Sequence, residues 1–228
     1  MIIHGLQKLS LLDFPGRTAA TVFLGGCTMR CPYCHNAEIW EVNRPGIMEE
    51  EGLYTFLRSR TGFLQGVCFS GGEPLMRDDL AEVIRTVRAM GFAVKLDTNG
   101  LYPDRLKALL DEGLLDMVAM DIKNEPARYA ETVGISHIAM RQISDSVDLL
   151  LGADIRAEFR TTVTKRFHDI NSFKVIGEWL TGADFYALQP FRVSDFVPDV
   201  TLGTPSRETL ENYASILRHT IRQVEIRG

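Results

Sequence analysis

The sequence predicts an α/β fold built on a parallel sheet, and three observations carry the prediction. Short, nearly continuous apolar runs alternate with helical periodicities along the chain. Each run ends on turn-forming residues such as Gly25-Gly26, Gly71-Gly72 or Asp97, and the polar residues with chemical reach collect at those ends. Runs apolar on both faces suit parallel strands covered on either side. Alternation with helices implies right-handed crossovers, and strand carboxyl ends are where such folds carry their sites.

Six strands are expected, over 18–24, 66–70, 92–96, 117–120, 155–163 and 183–188. Helical patterns fill the intervals over 48–59, 77–90, 103–112, 138–151, 170–180 and 206–224. Asp78, Asp79 and Asp104 fall in first turns, where the helix dipole favours anions, and Gly91 and Gly113 follow helix ends. Periodicity alone allows an open doubly wound sheet or a partial barrel. In the fifth strand Arg156, Glu158, Arg160 and Thr162 alternate and share one face, while Ile155, Ala157, Phe159 and Val163 take the other. Such a strand either lines a polar cavity inside a barrel or lies at an edge facing solvent.

The 228 residues are 45% hydrophobic and 24% charged, which excludes disordered and collagen-like classes. A chain of this length buries a sizeable core without disulfide staples. One domain over 1–228 is expected, with a short N-terminal extension over 1–17 and a C-terminal helix over about 206–226. Thirty acidic against 25 basic residues give a net charge of −5, contrary to a general nucleic-acid binder. No apolar run approaches the roughly 20 residues of a membrane span, and the first 17 residues lack a signal-peptide core. A cytoplasmic location is the expectation.

Three of the four cysteines lie within eight residues, as Cys27-Thr28-Met29-Arg30-Cys31-Pro32-Tyr33-Cys34. This C-x3-C-x2-C spacing follows the first strand. Thiolates are the usual ligands of iron–sulfur clusters and structural zinc. A closed zinc site normally needs two separated pairs, and no second pair is present; His35 sits too close to Cys34 to serve easily. Cys68, inside a strand, reads as a small core residue. Three thiolates without a fourth point to a 4Fe–4S cube with one iron left open. A zinc-stabilised binding module remains the alternative.

The cysteine loop, followed by Ser70-Gly71-Gly72-Glu73-Pro74 after the second strand, resembles the radical S-adenosylmethionine (SAM) superfamily. Tyr33 occupies the position where that family carries an aromatic. Cys34-His35-Asn36, Leu96-Asp97-Thr98-Asn99-Gly100, Met120-Asp121-Ile122-Lys123 and Asp13-Phe14-Pro15-Gly16-Arg17 further resemble the glycyl-radical-enzyme activases. Among these the likeness is greatest to the activating proteins of anaerobic ribonucleoside-triphosphate reductases. The resemblance covers residues 10 to about 192 and implies a partial (β/α)6 TIM-like barrel. It also implies one 4Fe–4S cluster on Cys27, Cys31 and Cys34, SAM as cofactor, and a flavodoxin or ferredoxin as electron donor. The partner would be a glycyl-radical enzyme.

By the same resemblance SAM contacts are expected from Gly71, Gly72 and Glu73, from Tyr33 and His35, and from Asp97, Asp121, Ile122 and Lys123. Asp97 and Asp121 would stand at the pocket with a monovalent cation. A plain strand-to-helix turn at Gly71–Glu73, a core role for Tyr33 and simple helix caps at the aspartates are the structural alternatives. Arg160 has the geometry to clamp the SAM carboxylate, against a salt bridge to Glu158 or Asp184. Gln189 and Arg192 close the sixth strand, where several activases have Pro-Tyr-His and this chain has Pro190-Phe191-Arg192. His4, His137, His168 and His219 show no partner pattern and read as structural. Only 35 residues separate Cys34 from Ser70 and 39 follow Gln189, which leaves no room for an auxiliary cluster. A small-molecule radical SAM enzyme, such as a deazapurine-forming carbocycle synthase, is the second functional alternative.

Overall fold

The computed structural model describes residues 1–228. In chain order the strands are β1 (Ile2–Ile3), β2 (Gly5–Ser10), β3 (Ala19–Leu24), β4 (Met48–Glu49), β5 (Gly66–Gly71), β6 (Ala93–Thr98), β7 (Met117–Asp121), β8 (Arg156–Val163), β9 (Phe185–Pro190) and β10 (Gln223–Ile226). The helices are α1 (Glu50–Arg58), α2 (Leu80–Ala89), α3 (Pro103–Asp111), α4 (Tyr129–Thr132), α5 (Met140–Gly152), α6 (Ile170–Trp179) and α7 (Arg207–Leu217). The main sheet runs β2-β3-β5-β6-β7-β8-β9-β10, parallel throughout except for the antiparallel β2–β3 pair. Each crossover thus moves one place in the same direction, the order of a partial TIM-like barrel. No helix is long and apolar enough to cross a membrane.

All six expected strands form. Two sheet members lie outside the expectation, and both are edges. Residues 5–10 of the expected N-terminal extension pair with β3, from Gly5 opposite Phe23 to Ser10 opposite Ala19. The helix expected over 206–226 stops at Leu217, and the chain turns to lay β10 parallel to β9, with Gln223 opposite Phe185. Helix α2 starts at Leu80, so Asp78 precedes it and pairs with Arg105, while Asp79 stands at the N-cap position without a side-chain capping bond and pairs with Arg77 and the N-terminal ammonium.

The register sorts the side chains into an apolar outer face and a mixed inner one. Across neighbouring strands Thr21, Cys68, Lys95, Met117 and Arg156 lie level, and so do Asp97, Ala119 and Glu158. Outward residues such as Val22, Phe69, Val94, Leu96, Val118, Met120 and Phe159 join the helices in one core of 53 buried residues. Removing that much apolar surface from water is the main force holding the layers together.

The Asp13–Arg17 segment has a physical role at the amino ends of the strands. Phe14 is buried against Ala19, Ala93 and Met117 and plugs the bottom of the sheet's concave side. Its neighbours hold it there: Thr21 Oγ1 donates to Asp13 at 2.6 Å, Arg156 donates to the Pro15 carbonyl at 3.1 Å, and the Arg17 guanidinium stacks over the Phe14 ring. Strand β8 lies between β7 and β9 and is no edge strand. Its charged face therefore lines the interior, as a barrel with a polar cavity requires.

Candidate active site

Strand β3 delivers the chain into the cysteine loop, and backbone hydrogen bonds fix the loop's course. Gly26 and Cys27 donate to the carbonyls of Ile39 and Trp40 at 2.9 and 3.0 Å, and Arg30 donates to Val133 at 2.9 Å. The Arg30 side chain folds back onto the Met29 and Cys27 carbonyls and stacks on Trp40. Cys27, Cys31 and Cys34 carry free thiols on the wall of one cavity of about 150 Å³. Burial pushes the Cys27 thiol up to about 11 and Cys31 up to about 12. A thiolate in so dry a place needs a compensating cationic centre, which cluster iron supplies. No three His, Cys, Asp or Glu side chains converge on a single ion. A cube is gripped at separate corners, and three free thiols on one cavity wall are the donor set a 4Fe–4S cluster takes.

The same cavity is lined by Tyr33, His35, Gly71, Gly72, Asp97, Asp121, Lys123 and Arg160. Eight of the twelve SAM-site residues expected from sequence thus meet the three cysteines. Tyr33 also belongs to the core, tilted against Phe167, and its hydroxyl has no hydrogen-bond partner. His35 Nε2 lies 2.9 Å from the Arg192 carbonyl. Gly72 has a structural necessity of its own: a Cβ there would collide with the Gly26 carbonyl, and one on Gly71 (φ +116°) would stand 2.5 Å from Leu24 N and O. The two glycines let the β5 turn lie flat on the cysteine loop, where Gly72 N donates to Leu24 at 2.8 Å and Glu73 N to Gly26 at 2.7 Å.

The remaining four stand elsewhere. Glu73 is fully buried behind the wall, accepting from Leu75 N (3.0 Å), Thr98 Oγ1 (2.9 Å) and Asn99 N (2.6 Å). Burial pushes its carboxyl up to about 7 against these donors. Its observed contacts tie the β5 turn to the β6 turn. Ile122 is fully buried in the core and presents its carbonyl to Thr161. Gln189 and Arg192 line a second cavity of about 710 Å³ together with Leu11, Leu12, Asp13, Lys95, Glu158 and Arg227. The two cavities share His35, Arg160 and Thr162 as a common wall.

A chain of alternating charges crosses the inner face. Lys95 pairs with Asp97, Arg160 Nη2 reaches Asp97 Oδ2 at 3.1 Å, Arg160 Nε reaches Asp121 Oδ1 at 2.5 Å, and Lys123 Nζ reaches Asp121 Oδ2 at 2.9 Å. Burial alone would raise the Asp121 carboxyl, but Arg160 and Lys123 hold it well below the usual range. Asp97 is likewise held down, against burial, by Arg160 and Lys95. Arg160 therefore bonds neither of the partners expected for a structural salt bridge. Glu158 pairs bidentately with Arg227 at 2.7 and 2.8 Å, and Asp184 pairs with Arg222.

Sequence reasoning passed over several residues here. Asn36 donates to the Gly71 carbonyl at 3.1 Å, and Asn99 Nδ2 lies 3.9 Å from Cys27 Sγ. Both sit inside segments singled out for other residues. Lys95 had a visible signal, a lysine two positions before Asp97 in an otherwise apolar strand. Of the histidines read as structural, His4 accepts from Gly25 N at 2.8 Å and faces the Arg44 carbonyl at 3.0 Å. His168 accepts from Thr164 N at Nδ1 and faces the Lys123 carbonyl through Nε2 at 2.9 Å. Burial lowers His168 to about 4, so a neutral ring holds the Lys123 backbone.

Fold, thiol trio and glycine turn together define an iron–sulfur enzyme of the parallel α/β-barrel kind. The radical SAM superfamily model matches residues 21–169, and the chain belongs to that superfamily. Membership brings a 4Fe–4S cluster and SAM as cofactors and excludes the zinc module. Along 99% of its length the chain is 32% identical to the "Putative glycyl-radical enzyme activating enzyme MJ1227" of Methanocaldococcus jannaschii, covering 95% of that protein. It is 32% identical over 145 residues to the pyruvate formate-lyase 1-activating enzyme of Escherichia coli K12 and 33% identical over 127 residues to the pyruvate formate-lyase-activating enzyme of Clostridium pasteurianum. These matches take in 57% and 52% of the respective relatives. Among solved structures, TYW1 with a lysine–pyruvate adduct superposes with a TM-score of 0.66 at 16% identity, over 89% of this chain and 74% of that one. Native anSMEcpe with bound AdoMet gives 0.59 at 16% identity, over 86% and 57%. At such identities they show the fold.

Proposed function

We propose that this protein is a cytoplasmic activating enzyme that removes a Cα hydrogen from one glycine of a partner enzyme, the partner being an anaerobic ribonucleoside-triphosphate reductase. The observation that carries the activase reading is the end-to-end match to a glycyl-radical enzyme activating enzyme, 32% identical over 99% of the chain. The reductase partner rests on the resemblance of the Asp13–Arg17, Cys34–Asn36, Leu96–Gly100 and Met120–Lys123 segments. A flavodoxin or ferredoxin would supply the electron.

When bound, the cluster supplies the electron that splits SAM into methionine and a 5′-deoxyadenosyl radical. The chain's own residues prepare that event. Cys27, Cys31 and Cys34 would hold the cluster by three of its irons and leave one for SAM. Arg160 and Lys123 line the cysteines' cavity and offer charged N–H donors, which suits the single carboxylate of SAM's amino-acid end. Gly71 and Gly72 expose backbone to that end, while Tyr33 and His35 wall the nucleoside side.

Substrate would arrive through the second cavity, lined by Leu11, Leu12, Asp13 and Pro15 and by Arg192, Arg227 and Gly228. Leu11 and Leu12 are 69% and 85% exposed there, unusual for leucines of a closed surface. A glycine-bearing loop entering this way meets His35, Arg160 and Thr162, the wall shared with the cluster cavity.

The test is to mix anaerobically reconstituted protein, SAM and reductant with the reductase and record electron paramagnetic resonance spectra. A glycyl doublet is expected. No doublet with this partner, but one with another glycyl-radical enzyme, would overturn the reductase assignment. No doublet with any partner, together with turnover of a small molecule, would overturn the activase reading.

A further inference from the structure

We propose that Arg160 is a built-in replacement for the monovalent cation that the activase resemblance implies, a positioning residue that makes SAM binding independent of sodium or potassium. The inference rests on reading the cluster cavity as the SAM pocket, and not on the identity of the partner. Its basis is the donor count at Asp97 and Asp121. Asp97 Oδ1 accepts from Lys95, and Asp97 Oδ2 accepts from Arg160 at 3.1 Å and from Ser70 Oγ at 3.0 Å. Asp121 Oδ1 accepts from Arg160 at 2.5 Å and Asp121 Oδ2 from Lys123 at 2.9 Å. Every carboxylate oxygen of the pair already receives a hydrogen bond. An alkali cation seated between them would have to displace the guanidinium, at the cost of stranding a buried positive charge.

The neighbouring charges lead to the same result. Each aspartate already faces two cationic partners, Lys95 and Arg160 at Asp97 and Arg160 and Lys123 at Asp121. A sodium or potassium ion added beside them would meet the repulsion of three fixed cations in a partly dry cavity. Guanidinium geometry also does what a spherical ion does less well. Its planar fork fixes Asp97 and Asp121 at a set separation through two different nitrogens, Nη2 and Nε. The terminal turns of β6 and β7 are thereby tied to β8 before any ligand enters.

The experiment measures the SAM dissociation constant of the cluster-loaded enzyme at fixed ionic strength in sodium, potassium or tetramethylammonium chloride. Wild-type affinity is expected to agree among the three salts within about two-fold. Arg160→Gln should bind SAM roughly ten-fold or more weakly in tetramethylammonium, the scale of losing charge-assisted hydrogen bonds. It should also acquire a sodium or potassium dependence that wild type lacks, and Arg160→Lys should restore salt indifference. A wild-type affinity that rises ten-fold or more as sodium or potassium is titrated in would overturn the proposal. So would an Arg160→Gln protein that binds as tightly as wild type, or one whose weakened binding ignores both ions. Absence of SAM binding in every salt would instead sink the pocket assignment, and the proposal with it. The wild-type salt series stands whether or not the glutamine variant folds.

Discussion

The two cavities that share His35, Arg160 and Thr162 are built on opposite plans. In the smaller, the inner-face charges answer one another: Asp97 and Asp121 are spanned by Arg160, Lys123 pairs with Asp121, and Asn36 fixes the Gly71 carbonyl. The larger holds Lys95, which reaches Asp97 from its side, and the tight Glu158–Arg227 pair, but its mouth carries exposed Leu11, Leu12 and Arg192. Fixed wiring suits a ligand whose shape never varies, as SAM is across its superfamily. A roomy mouth with apolar lips suits a partner surface, where affinity comes from buried apolar anchors. Damage to the first cavity should therefore stop all chemistry, and damage to the lips of the second should affect only delivery of substrate.

The largest effect is expected from Cys31→Ala. Reconstituted wild type should hold about four irons per chain, and the variant should lose most of that iron and all SAM-derived 5′-deoxyadenosine, measured by metal assay and chromatography. Asp121→Asn comes next, because it leaves Arg160 and Lys123 short of a counter-charge in a buried setting. A loss of about 3 kcal/mol is expected in urea unfolding of the reduced apoprotein.

A smaller effect should appear with pH. His168 is held neutral, its folded value of about 4 lying below the ordinary 6.5. Its contribution is present above pH 6.5 and is lost as pH falls toward 4, about 2 kcal/mol of it by pH 5. Urea midpoints of wild type and His168→Gln at pH 7 and pH 5 should show a shallower fall in the variant. The smallest change belongs to the lips. Leu12→Glu should leave uncoupled SAM cleavage intact while raising the partner concentration needed for half-maximal activation by about ten-fold. An equal loss in both assays would erase the distinction between the cavities.

Legibility from sequence divides along the same line. The cysteine spacing, the Gly71-Gly72 turn and the polar face of β8 are local patterns, and each appears in the fold where the pattern put it. Strand β10 was hidden because Gln223–Ile226 pairs along β9, an interaction absent from its own four residues. Strand β2 was hidden similarly, since the Gly5–Ser10 stretch GLQKLS becomes a strand by pairing with β3. The pairing of Arg160 with Asp97 and Asp121 joins three strands across 63 and 39 positions of chain, and no local spacing encodes it. Glu73 misled differently. Its place after two glycines suggests a ligand contact, whereas burial and donors from Thr98 and Asn99 bind it to the β6 turn, with Leu75 N as a third donor in its own turn. Asp13–Arg17 carries no periodic signal of its own, and the packing around Phe14 supplies a physical reason for the segment.

If the proposed function holds, the wired pocket generates a radical and the neighbouring cavity presents a glycine to it. The most direct measurement uses a partner enzyme whose glycines carry deuterium at Cα, mixed with cluster-loaded protein, SAM and reductant. Deuterium is expected in the released 5′-deoxyadenosine, accumulating in step with the glycyl radical signal. Release of unlabelled 5′-deoxyadenosine, with the partner's glycines still fully deuterated, would contradict it.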